Sequence, residues 1–406
     1  MLSSSKRHFL ARALISCFLA CATLLSVFSG TALAASTPPE VKADGYLVAD
    51  FKTGRLLMSK DVDTAFVPAS LTKIMSLYVL FDAISNGEAA MDDMVKVSEL
   101  AWATQGSKMY ILVGSEVKLE DLVKGITVMS GNDACVAVAE HVAGNVQSFV
   151  DRMNAKTKSL GMSQTNFVDP HGLSDDNRVS VADLMRLVTS YAIVHPEALP
   201  YHALKEFAYT APGGSQMAPQ FNRNRLLWSY PGTYGLKTGF TTKAGFNTVV
   251  VCERDGLNLI AIVMGSARGR SIDDGERERT ALVTSMLDWA YANYSFVSKG
   301  EPNMVVGKAR VWKGRGKWVD VMTPFGLGAT VEKEQKDALT YTVELRPDIE
   351  APIQRGQKVG EAVFTVDGQE VGRSDLVASA DVPKGNIFRV IWDVITRALA
   401  RAFSKT

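Results

Sequence analysis

Cysteine is scarce in this chain, with four residues in a length of 406, which is too few for a fold built on disulfides. No charge of one sign dominates, because 44 lysines and arginines stand against 43 acidic residues. The formal net charge of +1 therefore gives no overall electrostatic reason to expect binding to nucleic acid. The sequence also lacks internal repeats and low-complexity tracts, and its ordinary composition excludes wholesale disorder and a collagen-like architecture.

Residues 1–34 are predicted to be a secretory signal peptide. A basic start is followed by an apolar run over 13–25 and by Ala32-Leu-Ala34, the order that is typical of a cleaved leader. An uncleaved membrane anchor is the alternative. Cleavage leaves only Cys135 and Cys252 in the mature chain, which suits an exported protein that does not depend on disulfides.

Residues 384–406 are predicted to contain an amphipathic helix. One polar stripe recurs every four residues, and apolar and aromatic side chains cover the rest of the surface. The stripe consists of Arg389, Asp393, Arg397 and Arg401. The segment is too short and too charged to span a bilayer, but a basic helix with Trp and Phe can lie in the lipid interface. We expect a peripheral membrane anchor; a helix docked on the protein's own core is the alternative.

The chain between these ends is predicted to be an α/β (α+β) protein. Strand-like runs, namely a hairpin that turns at Thr53-Gly54 and two runs at 246–252 and 257–264, enclose a helix-rich block. The predicted helices are 68–86, 92–105, 119–129, 132–143, 147–160, 180–193 and one near 276–292. Strands at both ends of this part imply one mixed sheet. The alternating runs that follow predict a small all-β domain, so we expect domains at 35–297 and 298–383.

Ser70 and Lys73 are the first candidate catalytic pair. They lie at the start of a predicted helix, and positions i and i+3 share a helix face, so the hydroxyl and the amine can meet. The helix N-terminus favours a serine alkoxide and disfavours a second positive charge, and a buried amine beside other cations can act as a base. The spacing alone is weak evidence, because Ser3 and Lys6, and also Ser115 and Lys118, have it too.

Two further short motifs carry polar groups suited to peptide chemistry. Ser130-Gly-Asn132 lies between two predicted helices, where a second hydroxyl can relay a proton and the amide can hold a peptide carbonyl; a turn that caps a helix is the structural alternative. Lys237-Thr-Gly239 begins a strand-like run, where a lysine and a hydroxyl can bind a carboxylate and glycine admits a substrate backbone. Lys52-Thr-Gly54 repeats this tripeptide, but we interpret it as a hairpin turn.

The order Ser-x-x-Lys, Ser-x-Asn, Lys-Thr-Gly is similar to that of penicillin-binding proteins and class A β-lactamases. Longer stretches around these motifs resemble the low-molecular-mass penicillin-binding proteins that are D-alanyl-D-alanine carboxypeptidases. The resemblance covers nearly the whole mature chain. The stretches are Pro68-Ala-Ser-Leu-Thr-Lys-Ile-Met75, Met129-Ser-Gly-Asn-Asp-Ala-Cys135, Asn166-Phe-Val-Asp-Pro-His-Gly-Leu173 and Gly235-Leu-Lys-Thr-Gly-Phe-Thr241.

The resemblance implies a fold like that of β-lactamases and transpeptidases, and a role for each motif residue. Ser70 would be the acylated nucleophile, Lys73 its base and Ser130 the proton relay. The expected partners are a peptidoglycan stem peptide ending in D-Ala-D-Ala, and β-lactam antibiotics. The substrate-binding residues would be Asn132, Lys237, Thr238, Gly239, Phe240 through its backbone N–H, and Arg279.

Some of these implications stay open. Arg268 and Arg270 compete with Arg279 for the substrate carboxylate. Some family members have histidine where this chain has Phe240, which puts turnover in doubt. Asp169-Pro-His171 is interpreted as a structural loop rather than part of a Ser/His/Asp triad. Cys135 is expected to pack near the site without joining the chemistry.

No cofactor and no metal are expected. Histidines with metal-ligand spacing on a helix are lacking, as is a glycine-rich loop for a nucleotide. A β-lactamase is the nearest alternative function, but class A enzymes have Asp in place of Gly131 and use a glutamate that the region near 166 does not supply. A non-catalytic wall-binding protein is the other alternative. We interpret the all-β domain as mainly a spacer between membrane and wall.

Overall fold

A computed structural model describes residues 37–211, 218–324 and 326–403. The predicted signal peptide therefore lies outside the described residues, as do the side chains after Arg397, Arg401 among them. No helix in the described part of the chain is long and apolar enough to cross a membrane.

The first part of the chain is organised around a five-stranded sheet. Every pairing in it is antiparallel, whereas a mixed sheet was expected. Short turns account for three of the four pairings, because strands joined by a hairpin can only be antiparallel. The fourth pairing joins Gly45–Asp50 to the distant strand Leu257–Ser266 and is antiparallel as well. In spatial order the strands are Leu56–Lys60, Gly45–Asp50, Leu257–Ser266, Gly245–Arg254 and Thr233–Thr241. The predicted turn at Thr53-Gly54 is confirmed.

The two faces of this sheet are both buried. Alternate residues of a strand point to opposite faces, so Val249 and Val251 pack on the helical block while Val250 and Cys252 pack beneath the long helix Ile272–Asn293. Both core clusters are continuous with the sheet. The sheet is thus enclosed between two helical layers, as strands with near-continuous apolar runs require.

The helical block agrees closely with the predicted periodicity at most positions. Its longer helices are Thr72–Ser85, Asn132–Ala143, Val146–Ser159 and Val181–Val194. Shorter segments are Ala69–Leu71, Glu99–Ala103, Leu119–Lys124, Gly125–Met129, Pro196–Ala198, Leu199–His202 and Leu226–Ser229. Small strand pairs complete it: Ala65–Phe66 with Val179–Ser180, Met94–Lys96 with Glu116–Lys118, and Glu206–Phe207 with Gln220–Phe221.

Two predicted helices in this block need correction. The one expected over 92–105 is a strand, Met94–Lys96, followed by the short helix Glu99–Ala103, because Ser98 caps the helix by accepting from the Ala101 N–H. The one expected over 119–129 changes at Gly125 into a wider π-helical turn that ends at Met129. This turn positions Ser130.

The second part of the chain is a β domain. Five antiparallel strands form one sheet, in the order Val305–Arg310, Trp318–Met322, Gln369–Ala378, Lys358–Val366 and Leu339–Leu345. Tyr294–Gly300 pairs with Leu327–Glu332, and a 3-10 segment spans Lys333–Ala338. The boundary expected between 297 and 298 falls inside the strand Tyr294–Gly300, because this strand follows the helix Ile272–Asn293 without a linker.

The last element is the helix Ile387–Phe403, which lies within the segment predicted from the amphipathic pattern. The described part of its charged stripe faces the β domain: Asp393 is buried there, and Arg397 pairs with Asp348 and Glu350. Among the described side chains, the exposed apolar ones are Ile387, Phe388, Ile391, Trp392, Val394 and Ile395. The helix is therefore docked on the protein, but by its polar side, a combination that neither expectation described.

Candidate active site

The nucleophile candidate Ser70 lies in a tight turn that enters the helix Thr72–Ser85. The preceding residue, Ala69, has a positive φ of 49°, and Asn247 holds the turn by donating from its side-chain amide to the carbonyls of Val67 and Pro68, at 2.9 and 3.1 Å. Asn247 is a buried polar residue in a strand of the central sheet. The turn is thus fixed to the sheet, and Ser70 remains partly accessible.

Lys73 lies one helical turn later and is buried. Its Nζ lies 3.1 Å from Ser70 Oγ, 2.6 Å from Asn132 Oδ1 and 2.7 Å from the His171 carbonyl oxygen. Burial lowers the pKa of the Lys73 amine, and the positive charge of Arg223 lowers it further, while nearby acidic groups oppose the shift. The predicted proximity of the serine and the lysine is confirmed.

Ser130 and Asn132 meet this pair from the start of the next helix. Ser130 has a left-handed φ of 59° at the end of the π-helical turn, and its side chain is buried. Asn132 opens the helix Asn132–Ala143, and its amide donates to the Gln105 carbonyl at 2.7 Å. Because that bond fixes which amide atom faces Lys73, the Asn132 oxygen is the one that accepts from the lysine.

Lys237 reaches the same cleft from the edge strand Thr233–Thr241. Its Nζ lies 2.9 Å from Ser130 Oγ and 3.0 Å from the Thr238 carbonyl oxygen. Burial, and then the charge of Lys73, lower the pKa of Lys237 well below its ordinary value. The strand begins four residues before Lys237, so the Lys-Thr-Gly motif lies within the strand rather than at its start, where it was expected.

Gly239 lies where this strand touches the nucleophile turn. A Cβ at this position would lie 2.9 Å from both the Pro68 carbonyl oxygen and the Ser70 nitrogen, so only glycine lets the two backbones approach this closely. The next residue, Phe240, pairs with Phe246 on the neighbouring strand, with ring centroids 4.3 Å apart. Phe240 is 39% exposed at the mouth of the cleft.

The three competing arginines occupy different places. Arg279 is buried beside the cleft, and its guanidinium lies 5.9 Å from the Phe246 ring centroid. Burial lowers its pKa to about 10. Arg268 pairs with Asp44, and Arg270 pairs with Glu278 at 3.1 Å, both at exposed positions. Of the three, only Arg279 lines the cleft in the part of the chain that the structure describes.

The loop containing Asp169 and His171 acts through its backbone. The Asp169 carboxylate accepts from backbone N–H groups of its own loop, and the His171 carbonyl contacts Lys73. Burial lowers the pKa of His171 to about 4. Its imidazole Nδ1 accepts from the Leu173 N–H and lies 3.2 Å from the Asp169 carboxylate, both within the same loop, so the geometry agrees with a structural loop.

Several cleft residues were not predicted from the sequence. Arg223 lines the cleft, and no pattern singles it out. Asn247 could have been found, because it is a polar residue inside an apolar strand. Gly172, with a φ of 86°, presses on the Ala69 carbonyl so closely that a Cβ would lie 1.8 Å from that oxygen. Cys135, by contrast, was expected to pack near the site; it is buried, which raises the pKa of its thiol to about 12, so it is a poor nucleophile.

These groups together form a serine–lysine cleft of about 600 Å³ between the sheet edge and the helical block. Two hydroxyls each contact one buried lysine, and a third hydroxyl, Thr238, lines the wall beside Arg279. This is the class of site in which a serine is acylated without a histidine. The arrangement defines the class of protein as a serine-type acyl-transfer enzyme.

Comparison with known proteins gives the family. Residues 32–268 match the profile described as D-alanyl-D-alanine carboxypeptidase, and residues 291–384 match the C-terminal domain of penicillin-binding protein 5. The chain is 32% identical to D-alanyl-D-alanine carboxypeptidase DacA of Haemophilus influenzae over 91% of its length and 92% of the relative's. It is 34% identical to DacC of Escherichia coli, with the same coverage of 91% and 92%.

Solved structures agree with these matches. Penicillin-binding protein 5 from Haemophilus influenzae superposes with a TM-score of 0.69 at 31% identity, covering 86% of this chain and all of that one. Penicillin-binding protein 6B from Escherichia coli gives 0.64 at 30% identity, covering 85% of this chain and 98% of that one. The chain belongs to the D-alanyl-D-alanine carboxypeptidase family, as the motifs predicted.

Proposed function

We propose that this chain is a serine-type D-Ala-D-Ala carboxypeptidase that removes the terminal D-alanine from peptidoglycan stem pentapeptides and is acylated by penicillins. The observation that carries the proposal is the 3.1 Å contact between Lys73 Nζ and Ser70 Oγ, at the cleft that Ser130 also lines; Lys237 contacts the Ser130 hydroxyl at 2.9 Å. Family membership supports the substrate class.

Lys73 is proposed to be the base for acylation. A neutral amine has two N–H groups and one lone pair. The Asn132 oxygen and the His171 carbonyl lie at 2.6 and 2.7 Å and accept the two N–H groups, so the lone pair points to the Ser70 hydroxyl. Because burial lowers the pKa of Lys73, a larger share of the amine is neutral at a given pH than for an exposed lysine. Ser70 Oγ then attacks the carbonyl carbon of the penultimate D-alanine as Lys73 takes its proton.

The remaining groups are proposed to serve the tetrahedral intermediate and the leaving group. The backbone N–H groups of Ser70 and Phe240 stabilise the oxyanion. Ser130 relays the proton that Lys73 took from Ser70 to the amine of the departing D-alanine, so the C–N bond breaks with a neutral amine leaving and Ser130 keeps its hydroxyl. Water then hydrolyses the ester and restores the Ser70 hydroxyl. Asn132 orients the peptide, while the walls formed by Lys237, Thr238, Gly239 and Arg279 receive the terminal carboxylate.

A direct test uses a diacyl-L-Lys-D-Ala-D-Ala tripeptide and measures released D-alanine. We expect release by the purified chain and, with Ser70→Ala, a loss to background. Lys73→Met should lose about 10²–10⁴-fold, the usual contribution of a general base. A fluorescent penicillin should label the parent chain as a slowly hydrolysed adduct. Release that is equal in Ser70→Ala would refute the proposal, and rapid loss of the label would favour a β-lactamase instead.

We further propose where the enzyme acts. A leader over 1–34 would export the chain, leaving a catalytic domain over 35–297, a β domain over 298–383 and an anchoring helix over 384–406 on the periplasmic side of the inner membrane. The support for the anchor is the helix Ile387–Phe403, whose apolar face is exposed, with Phe388 79% and Trp392 62% accessible. An exposed apolar helix face of this kind suits the lipid interface.

A further inference from the structure

The helix Ile387–Phe403 is held on the β domain by its charged stripe. Asp393 is buried under the domain, where its carboxylate accepts from the Lys313 backbone N–H at 2.7 Å and from Arg310 Nη2 at 3.3 Å. Arg389 contacts the same carboxylate at 3.5 Å. A buried carboxylate is stable only when it is paired and hydrogen-bonded. Since sliding or rotating the helix would separate Asp393 from these partners, Asp393 fixes the position of the helix on the β domain.

One helical turn further, the stripe makes a second charged contact. Arg397 pairs with Asp348 and Glu350, and its guanidinium lies 5.5 Å from the Trp312 ring centroid. Lys313 joins the same network through Glu350 at 2.6 Å. Because both turns of the stripe are bound in this way, the helix presents its opposite, apolar side outward.

The β domain carries basic and aromatic side chains beside the start of this helix. The loop that holds Arg315 and Lys317 runs against the tail: the Arg315 N–H donates to the Pro383 carbonyl at 2.8 Å. Arg315 and Lys317 are exposed, as is Lys384 on the tail itself. Trp318 is 52% exposed. It lies 5.7 Å from the guanidinium carbon of Arg310, the residue that binds Asp393.

We infer that the β domain itself lies on an anionic phospholipid surface, with the docked helix between domain and bilayer. This inference rests on the proposed anchor. A helix with its side chains is about 10 Å across, and an interfacial helix has its apolar face at the boundary of headgroups and acyl chains. The domain surface above the helix is therefore at headgroup height. There Arg315, Lys317 and Lys384 meet lipid phosphates, and Trp318 lies in the interface, where tryptophan is favoured.

The consequence is a different role for the β domain from the spacer expected above. A spacer needs only length, whereas this domain fixes the helix by Asp393 and adds its own lipid contacts. Because Arg315, Lys317 and Lys384 are positively charged, the lipid surface that they fit is an anionic one. A neutral bilayer offers the helix its apolar contact but gives the basic residues no counter-charge.

The test measures binding of the mature full-length chain to vesicles of phosphatidylcholine with and without phosphatidylglycerol. Replacing two basic residues in R315Q/K317Q should weaken binding to the anionic vesicles about 30-fold, at about fivefold for each charge, and leave binding to neutral vesicles unchanged. The matched control, K333Q/K336Q, removes the same charge from the 3-10 segment Lys333–Ala338, where Lys333 contacts the Tyr291 carbonyl of the catalytic part. It should bind like the parent chain.

Each other outcome has a definite meaning. Equal losses in the two double variants would show that only net charge matters and would overturn the inference. Unchanged binding of R315Q/K317Q to anionic vesicles would also overturn it, while leaving the anchor in place. If the parent chain binds neither vesicle, the anchor proposal fails, and this inference fails with it. Carboxypeptidase activity measured in parallel reports separately on the proposed reaction.

A second readout locates the surface directly. The two cysteines that remain after leader cleavage, Cys135 and Cys252, are both buried, so an environment-sensitive dye can be attached at an introduced cysteine. A dye on Trp318→Cys should shift to shorter wavelength when anionic vesicles are added, and a dye on Lys336→Cys should not. A shift at neither position, with binding retained, would refute a β domain that lies on the lipid.

Discussion

Two buried lysines lie in one cleft, and each contacts its own serine. Burial is the largest cause of the lowered pKa in both Lys73 and Lys237, and the charge of Arg223 lowers both pKa values further. Their hydrogen-bond partners differ. Lys73 is bound by two acceptors besides Ser70, whereas Lys237 contacts Ser130 and a carbonyl of its own strand. The first arrangement leaves the Lys73 amine facing the Ser70 hydroxyl, and the second holds the Lys237 amine against the Ser130 hydroxyl.

The role of Arg223 in this electrostatic balance can be tested by Arg223→Gln. The rate at which penicillin acylates Ser70 should rise with pH as Lys73 loses its proton. Removing the Arg223 charge removes one cause that lowers the pKa of Lys73. That pKa therefore rises, and the rising limb of the profile moves to higher pH. The measurement is the second-order labelling rate at a series of pH values.

Arg225→Gln is the matched control for this prediction. Arg225 is two residues away, exposed, and paired with Glu276 at 3.0 Å, so the limb should stay where it is in the parent chain. A limb that does not move in Arg223→Gln, or that moves to lower pH, would contradict the electrostatic role.

At position 240, where some family members have histidine, this chain has phenylalanine, which carries no titratable group. The ring packs on Phe246 at a centroid distance of 4.3 Å, and Gly275 leaves room for Phe246, since a Cβ there would lie 2.1 Å from its ring. The helix Ile272–Asn293 therefore packs directly against the Phe246 ring and holds the aromatic pair in place. The pH profile of this enzyme contains no ionisation from a side chain at position 240.

Two elements lie in close contact with the turn that holds Ser70. The strand Thr233–Thr241 approaches through Gly239, and the Asp169 loop approaches through Gly172. Both glycines lie so close to the turn that an added Cβ would meet backbone atoms rather than flexible side chains. Close packing of this kind keeps Ser70 in place between its lysine and the strand.

Gly239→Ala tests this contact at the scale of the strand. The new methyl group has to push the strand away from the Ser70 nitrogen, which moves the Phe240 N–H relative to the nucleophile. A displacement of about 1 Å can cost about 100-fold in rate, so we expect penicillin labelling to slow by about that factor. Gly307→Ala is the control, because nothing lies within 4 Å of a Cβ at that strand position. Equal labelling rates in the two variants would show that the contact is unimportant.

The two domains are joined by buried contacts and not by a flexible linker. Asp50, at the end of a central strand, accepts from the Thr330 hydroxyl of the β domain at 2.5 Å, and both side chains are buried. Arg55 contacts the Thr330 carbonyl and lies 5.7 Å from the Tyr294 ring centroid. The orientation of the cleft relative to the β domain, and hence to the docked helix, is therefore determined by the fold.

Truncation tests the anchor at the scale of the whole molecule. A chain that ends at Lys384 lacks the helix Ile387–Phe403 and its exposed apolar face. We expect it to move from the membrane to the soluble fraction and to retain D-alanine release, because the helix contacts the β domain and not the cleft. Full-length Ser70→Ala should show the reverse, remaining on the membrane without activity. Membrane retention of the truncated chain would contradict the anchor.

Much of this protein could be predicted from local sequence. The helix Asn132–Ala143 was predicted at its observed bounds, and the proximity of Ser70 and Lys73 followed from helical spacing, because these features depend on neighbours within a few turns. The amphipathic tail was predicted for the same reason. The exceptions are the segment 92–105 and the π-helical turn, where capping and packing override periodicity.

The tertiary structure decided how distant residues meet. Lys237 reaches Ser130 across 107 residues of chain, and Arg279 rather than Arg268 lines the cleft; neither follows from spacing, because both depend on how strands and helices pack. The tail shows the division most clearly. Its sequence by itself determined that one face is charged and the other apolar. Only the folded β domain, with acceptors and donors for Asp393 and Arg397, decided that the charged face points inward.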